Sequence, residues 1–154
     1  MAEGDRETVI LRPGEGRVIP IGRSSVRLLT IGSDTADISS VEELKVPAGF
    51  GGPPAHYHDK TNHSWYVIEG ELRLTVRGEP FDLAPGGFVH VPTGISHTFA
   101  NVTSHDARMV EFTTPAGFDR YLEELAAAFP AGAEMDPDVV IEIMARHDTY
   151  PATS

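Results

Sequence analysis

Between Thr8 and Thr114 the chain never holds a helical apolar period; it runs as short apolar or alternating segments broken by Gly, Pro, Asn and Asp. A chain punctuated in this way can bury its apolar residues only by pairing many short strands, the pattern of an all-β sandwich or barrel. Candidate strands are Val9–Leu11, Val18–Ile21, Val26–Ile31, Val41–Val46, Trp65–Ile68, Glu71–Arg77, Phe88–Val91, Thr98–Val102 and Arg108–Thr113. Glu69-Gly70, Arg77-Gly78-Glu79 and Ala84-Pro85-Gly86-Gly87 supply residues that tolerate positive φ or preset a bend, and read as hairpin turns.

After Pro115 the period changes. Phe118, Tyr121, Leu122, Leu125 and Phe129 form one apolar stripe of an α-helix that Pro130 stops. If that helix lies over the barrel mouth, its stripe also lines a pocket. Asp136 as N-cap and Pro137 at the first helical position announce a second helix, with Val139, Val140, Ile143 and Met144 on one side. The 154 residues contain no repeat or linker, and fall within the size of one domain. The expectation is a single domain over 1–154, with a barrel at about 8–114 and helices at about 117–147.

Charge and cysteine content narrow the function. Twelve Lys plus Arg against 23 Asp plus Glu give a net charge of −11, which repels phosphate backbones and anionic lipid surfaces, so neither nucleic acid nor membrane is expected as a partner. Without Cys there is no disulfide framework, thiolate ligand or thiol nucleophile. No basic segment leads into an apolar one at the N-terminus, and no apolar run is long enough to span a membrane, so a cytoplasmic location is expected.

Seven His is high for this length, and four of them carry a pattern. In an extended segment His56 and His58 project to one face, where two imidazoles can converge on one ion. His63 stands at the start of the Trp65 strand, and His97 follows Pro92-Thr93-Gly94-Ile95-Ser96. Four His from three sheet segments look like a metal cage. Trp65 shares strand parity with His63, and Phe99 with His97, which makes both candidate pocket residues beside the ion. Met109 and Glu111 share a face of the last strand; if that face is the inner one, Met109 lines the pocket and Glu111 is the acid-base candidate. His90, His105 and His147 lie outside the pattern and read as solvated or structural.

These residues resemble the two motifs of the cupin family. From Gly52 to Gly70 the chain looks like the first motif, with His56, His58 and Gly70 in place and His63 where the family usually has Glu. Gly86, Pro92, Gly94, His97 and Asn101 follow the spacing of the second, about 15 residues further on. The resemblance implies a double-stranded β-helix, a jelly roll holding one divalent metal, here followed by two C-terminal helices. Exchanging a carboxylate for a neutral imidazole keeps a donor of compatible reach and makes the bound ion a stronger Lewis acid.

Within the cupins the chain is similar to the small quercetinase-like group, through the Thr114-Pro115-Ala116-Gly117-Phe118 turn that leads from the last strand into the helices. That implies one Fe, Mn, Ni, Co, Cu or Zn ion per chain and oxygenation of an apolar or aromatic small molecule of phenolic, enolic or diketone type. Since His63 cannot act as the motif carboxylate, another base such as Glu111 is required. The alternatives are a redox-neutral reaction, as in cupin-type polyketide cyclases or isomerases with zinc, and a metal-dependent binding protein. Analogy with small cupins also implies a homodimer, with Val9–Leu11 and Val18–Ile21 covering a sheet edge of the partner.

Overall fold

The structure, a computed structural model, describes residues 7–153. Among the described residues, eleven strands pair antiparallel in two sheets. They are β1 (Arg17–Ile21), β2 (Ser24–Thr30), β3 (Ser40–Val46), β4 (His56–Tyr57), β5 (Asn62–Glu69), β6 (Leu72–Val76), β7 (Glu79–Leu83), β8 (Phe88–Val91), β9 (His97–Ala100), β10 (Ala107–Thr114) and β11 (Tyr150–Pro151). One sheet runs β1-β2-β3-β10-β5-β8 and the other β11-β4-β9-β6-β7.

Alternation decides which side chains face inward. On β10, Ala107, Met109, Glu111 and Thr113 are buried; on β3, Ser40, Glu42, Leu44 and Val46; on β5, His63, Trp65 and Val67. Their neighbours in sequence point outward, as the two-residue pleat requires. Leu72 and Leu74 of β6 complete the core from the second sheet. The barrel interior is therefore mainly apolar, with polar residues at a few inner-face positions.

Two glycines are demanded by close approach. A Cβ on Gly52 would lie 1.8 Å from the Phe99 carbonyl oxygen, and one on Gly70 would lie 2.7 Å from that of Asp106; both residues also adopt positive φ. The first lets the segment before β4 press against β9, and the second lets the β5–β6 turn press against the chain entering β10.

The helices form as their patterns require. α1 (Phe118–Ala128) buries Tyr121, Leu122 and Leu125 and packs on β1, while α2 (Pro137–Met144) buries Val140, Ile143 and Met144. The Asp136 carboxylate accepts from the Asp138 amide at 2.9 Å, a side-chain N-cap.

Three departures from the sequence expectation have physical causes. Val9–Leu11 is not a strand: the segment is exposed, with Ile10 at 77%, and the sheet begins at β1. β7 forms where no strand was expected, because its outward-facing Glu79-Pro80-Phe81-Asp82 lacks apolar alternation. Its position at the sheet edge and the Arg77-Gly78 turn, with both residues at positive φ, suffice to pair it with β6. After α2 the chain also returns to the sheet as β11, which pairs with β4 through only two residues and offers no sequence period.

Candidate metal centre

His56 lies on β4, His58 immediately after it, His63 on β5 and His97 on β9. The β4–β9 register sets His56 directly opposite His97, and β6 holds β9 from the other side. All four rings are buried. Ligand atoms of His56, His58 and His97 lie within 4.8 Å of one another. His63 stacks on His58 with ring centroids 4.0 Å apart and an interplanar angle of 9°, beside that trio but outside the 4.8 Å grouping.

Backbone carbonyls orient three of the rings. Nδ1–H of His56 donates to Pro54 at 2.7 Å, that of His58 to Asp148 at 2.9 Å, and that of His97 to Ile95 at 2.8 Å. A carbonyl can only accept, so these bonds place the proton on Nδ1 and leave Nε2 with a free lone pair. Carbonyl support of the remote nitrogen is how metal-binding imidazoles are commonly held. The Nε2 atoms of His58, His63 and His97 are buried with no hydrogen-bond partner. Buried polar atoms are rarely left orphaned, and a divalent transition metal would satisfy all three.

Electrostatics agree with neutral, ligand-ready rings. Burial drives all four imidazoles below their ordinary range, to about 3 for His58 and His63, and for His56, His58 and His63 the neighbouring rings push the same way. Neutral imidazole is the form that binds a metal.

Deeper in the barrel, Glu42 and Glu111 are cross-strand partners on β3 and β10, exposed by 0% and 1%. Glu111 Oε2 lies 3.4 Å from His63 Nδ1, while Glu111 Oε1 and both Glu42 oxygens have no partner. Burial raises Glu111 to about 8 and Glu42 to about 9, in the latter case with help from the Glu111 charge. A divalent cation on the neighbouring imidazoles would lower the Glu111 value.

A cavity of about 290 Å³ opens beside the cage. His56, His63, Trp65, Phe99 and Glu111 line it, together with Tyr121 and Leu122 of α1 and Val140 of α2. Trp65 and Phe99 thus sit where strand parity puts them. Met109 is fully buried but does not line the cavity; it lies further along β10, in register with Leu44 and Val67. His90 and His105 are exposed, and His147 bonds to Glu124 on α1.

Sequence reasoning missed two contributors to this site. Glu42 becomes visible only once β3 is registered against β10. Asp148 reaches His58 from beyond α2, and neither motif includes it.

Residues 43–113, from β3 into β10, match the family model Cupin_2, described as "Cupin domain". Quercetin 2,3-dioxygenase of Bacillus subtilis (strain 168) is 32% identical over 104 residues, which cover 68% of this chain and 30% of that protein. Polyketide synthase CurC of Streptomyces cyaneus is 37% identical over 60 residues, 39% of each chain. The chain thus spans less than half the length of either curated relative. Among solved structures, an RmlC-like cupin from Shewanella frigidimarina NCIMB 400 superposes with a TM-score of 0.63 at 19% identity, covering 75% of this chain and 97% of that one. Matched motif region, antiparallel barrel and histidine cluster agree: residues 43–113 match a cupin domain, and the chain has the cupin β-barrel fold.

Proposed function

We propose that the chain is a metal-dependent cupin enzyme that oxygenates a phenolic, enolic or diketone small molecule. The observation that carries this reading is the convergence of buried imidazoles, three of them with a partnerless Nε2, beside an apolar cavity that His56 and His63 line. His56, His58 and His97 would hold the ion, with His63 as fourth ligand. A redox-active divalent metal bound there would supply Lewis acidity toward a substrate oxygen and an electron route to O2.

The chain's own residues shape the rest. Trp65 and Phe99 offer flat apolar walls to a planar substrate, and Tyr121, Leu122 and Val140 of α1 and α2 add to that lining. Glu111 presents a partnerless Oε1 from a position lining the cavity, so its carboxylate can take a substrate hydroxyl proton, the task that His63 cannot perform. The likeness to quercetin 2,3-dioxygenase supports the substrate class.

The exchange of the motif carboxylate for His63 supports a second reading, redox-neutral cyclisation of a polyketide, and the segment resembling CurC points the same way. Cytoplasmic location and a homodimer complete the proposal. Strand β1 ends a sheet with Val18 exposed, and Val9–Leu11 lies exposed as well.

Oxygen-electrode traces of protein loaded with Fe, Mn, Ni, Co or Cu, run against flavonols and β-diketones, test the first reading. Oxygen consumption dependent on metal and substrate is the expected result. If no metal form consumes oxygen while the Zn protein converts a polyketide mimic, cyclisation replaces it. Silence in both assays favours a binding role.

A further inference from the structure

Asp148 lies beyond both helices and 90 residues from His58 in sequence, yet every polar contact it makes with its side chain goes to the loop that follows that ligand. Its carboxylate accepts from the amides of Asp59 at 3.1 Å and Lys60 at 2.9 Å and from the Thr61 hydroxyl at 2.9 Å. Its carbonyl accepts the His58 Nδ1 proton at 2.9 Å, with the Thr149 hydroxyl 3.2 Å from the same nitrogen. One residue can present both groups to one loop because its backbone turns to φ +50°, a left-handed conformation that Asp tolerates better than most side chains.

The rest of the tail reinforces this contact. β11 pairs with β4, Tyr150 opposite Tyr57 and Pro151 opposite His56, and the Ala152 amide donates to the Ala55 carbonyl at 2.8 Å. On its other side β4 meets β9 through the single His56–His97 pair. The short segment bearing two of the cage imidazoles therefore owes much of its anchoring to residues 148–152.

We propose that Asp148 is a positioning residue for the metal centre: it locks the 59–61 loop and the His58 ring, so that docking of the 148–152 tail and binding of the ion strengthen each other. The proposal rests on the cage binding a metal. His58 would be ordered by the tail before the ion arrives, and the ion, once bound, would hold the ring that anchors the tail. Such coupling is reciprocal by linkage. It also places a control point for metal affinity on a segment outside both cupin motifs.

Zn²⁺ affinity, measured by chelator competition on the full chain, tests it together with amide exchange and the visible spectrum of the Co²⁺ form. Asp148→Ala should weaken Zn²⁺ binding by about 10–100-fold, the usual cost of losing an outer contact to a ligand. It should also alter the Co²⁺ spectrum and speed exchange at the Asp59 and Lys60 amides in the metal-free protein. Asp148→Asn, which keeps an acceptor oxygen and suits the same φ, should recover most of the affinity. Should the Ala variant not fold, Thr61→Val removes one clamp donor with little disturbance and should lower affinity by a smaller factor. A folded Asp148→Ala protein with parental affinity and parental spectrum overturns the proposal, as does parental affinity in Thr61→Val. Failure of the unaltered chain to bind Zn²⁺ has a different signature and removes the metal reading along with the clamp.

Discussion

Two polar groups share the inside of this barrel and are built on opposite terms. The imidazoles on and beside β4, β5 and β9 are mostly held through Nδ1 by backbone carbonyls, so their free Nε2 atoms converge. Across the interior, Glu42 and Glu111 lie opposite each other with three oxygens unpartnered, the fourth, Glu111 Oε2, lying 3.4 Å from Nδ1 of the neutral His63. The first group is arranged to receive a positive ion. In the metal-free fold the second stays buried by holding protons; a cation on the imidazoles would lower Glu111 toward the carboxylate that its proposed role as base requires.

The two groups also respond oppositely to pH. In the metal-free fold, His58 and His63 are depressed from 6.5 to about 3, so between those values the unfolded chain binds more protons. Their contribution to stability is complete above about pH 6.5 and is lost as pH falls. Glu42 and Glu111 are raised from 4.5 to about 9 and about 8, so the folded chain binds more protons there. Their contribution is complete below about pH 4.5 and is lost as pH rises through 8–9.

Removing individual groups should separate these roles. The largest effect is expected from His58→Ala, which should reduce Zn²⁺ affinity by more than the roughly 10–100-fold cost of losing an outer contact, since it removes a member of the tight trio. Parental affinity in that variant would break the ligand assignment. Glu111→Gln should leave metal content unchanged and lower turnover of the converted substrate by about 100-fold, the scale of a lost general base. Equal turnover would return Glu111 to a packing role.

His63→Ala should cost about tenfold in metal affinity, less than His58→Ala, because the ring flanks the trio and also leans toward Glu111. A loss equal to that of His58 would make the centre four equivalent ligands. The smallest change is expected for Glu42→Gln in the metal-free protein. It should raise stability at pH 9 by about 1–3 kcal/mol relative to its effect at pH 5, because no carboxylate then has to ionise in the interior. A melting temperature that falls between pH 5 and 9 as steeply as the parent's would show that Glu42 does not set the alkaline arm.

What could be read in advance divides along the same line. Histidine spacing, paired glycine positions and strand parity are local, so the barrel, the His56, His58 and His97 cluster and the inward places of Trp65 and Phe99 were all legible. Glu42 was not, because its meaning depends on a register between strands far apart in the chain. Asp148 was hidden for a related reason: its carbonyl does as much as its side chain, and a left-handed aspartate after a helix carries no sequence signature of its own. β7 and Val9–Leu11 failed in opposite senses. One is an edge strand without apolar alternation, and the other is an apolar segment with no strand beside it.

The central claim is that converging imidazoles hold one divalent transition metal per chain. Elemental analysis of the purified protein, followed by titration of metal-stripped protein with Zn, Ni, Mn and Fe, tests it directly. The account predicts saturation near one ion per chain, abolished in the His58→Ala, His97→Ala double variant; a protein that is purified empty and takes up none of the four ions would contradict it.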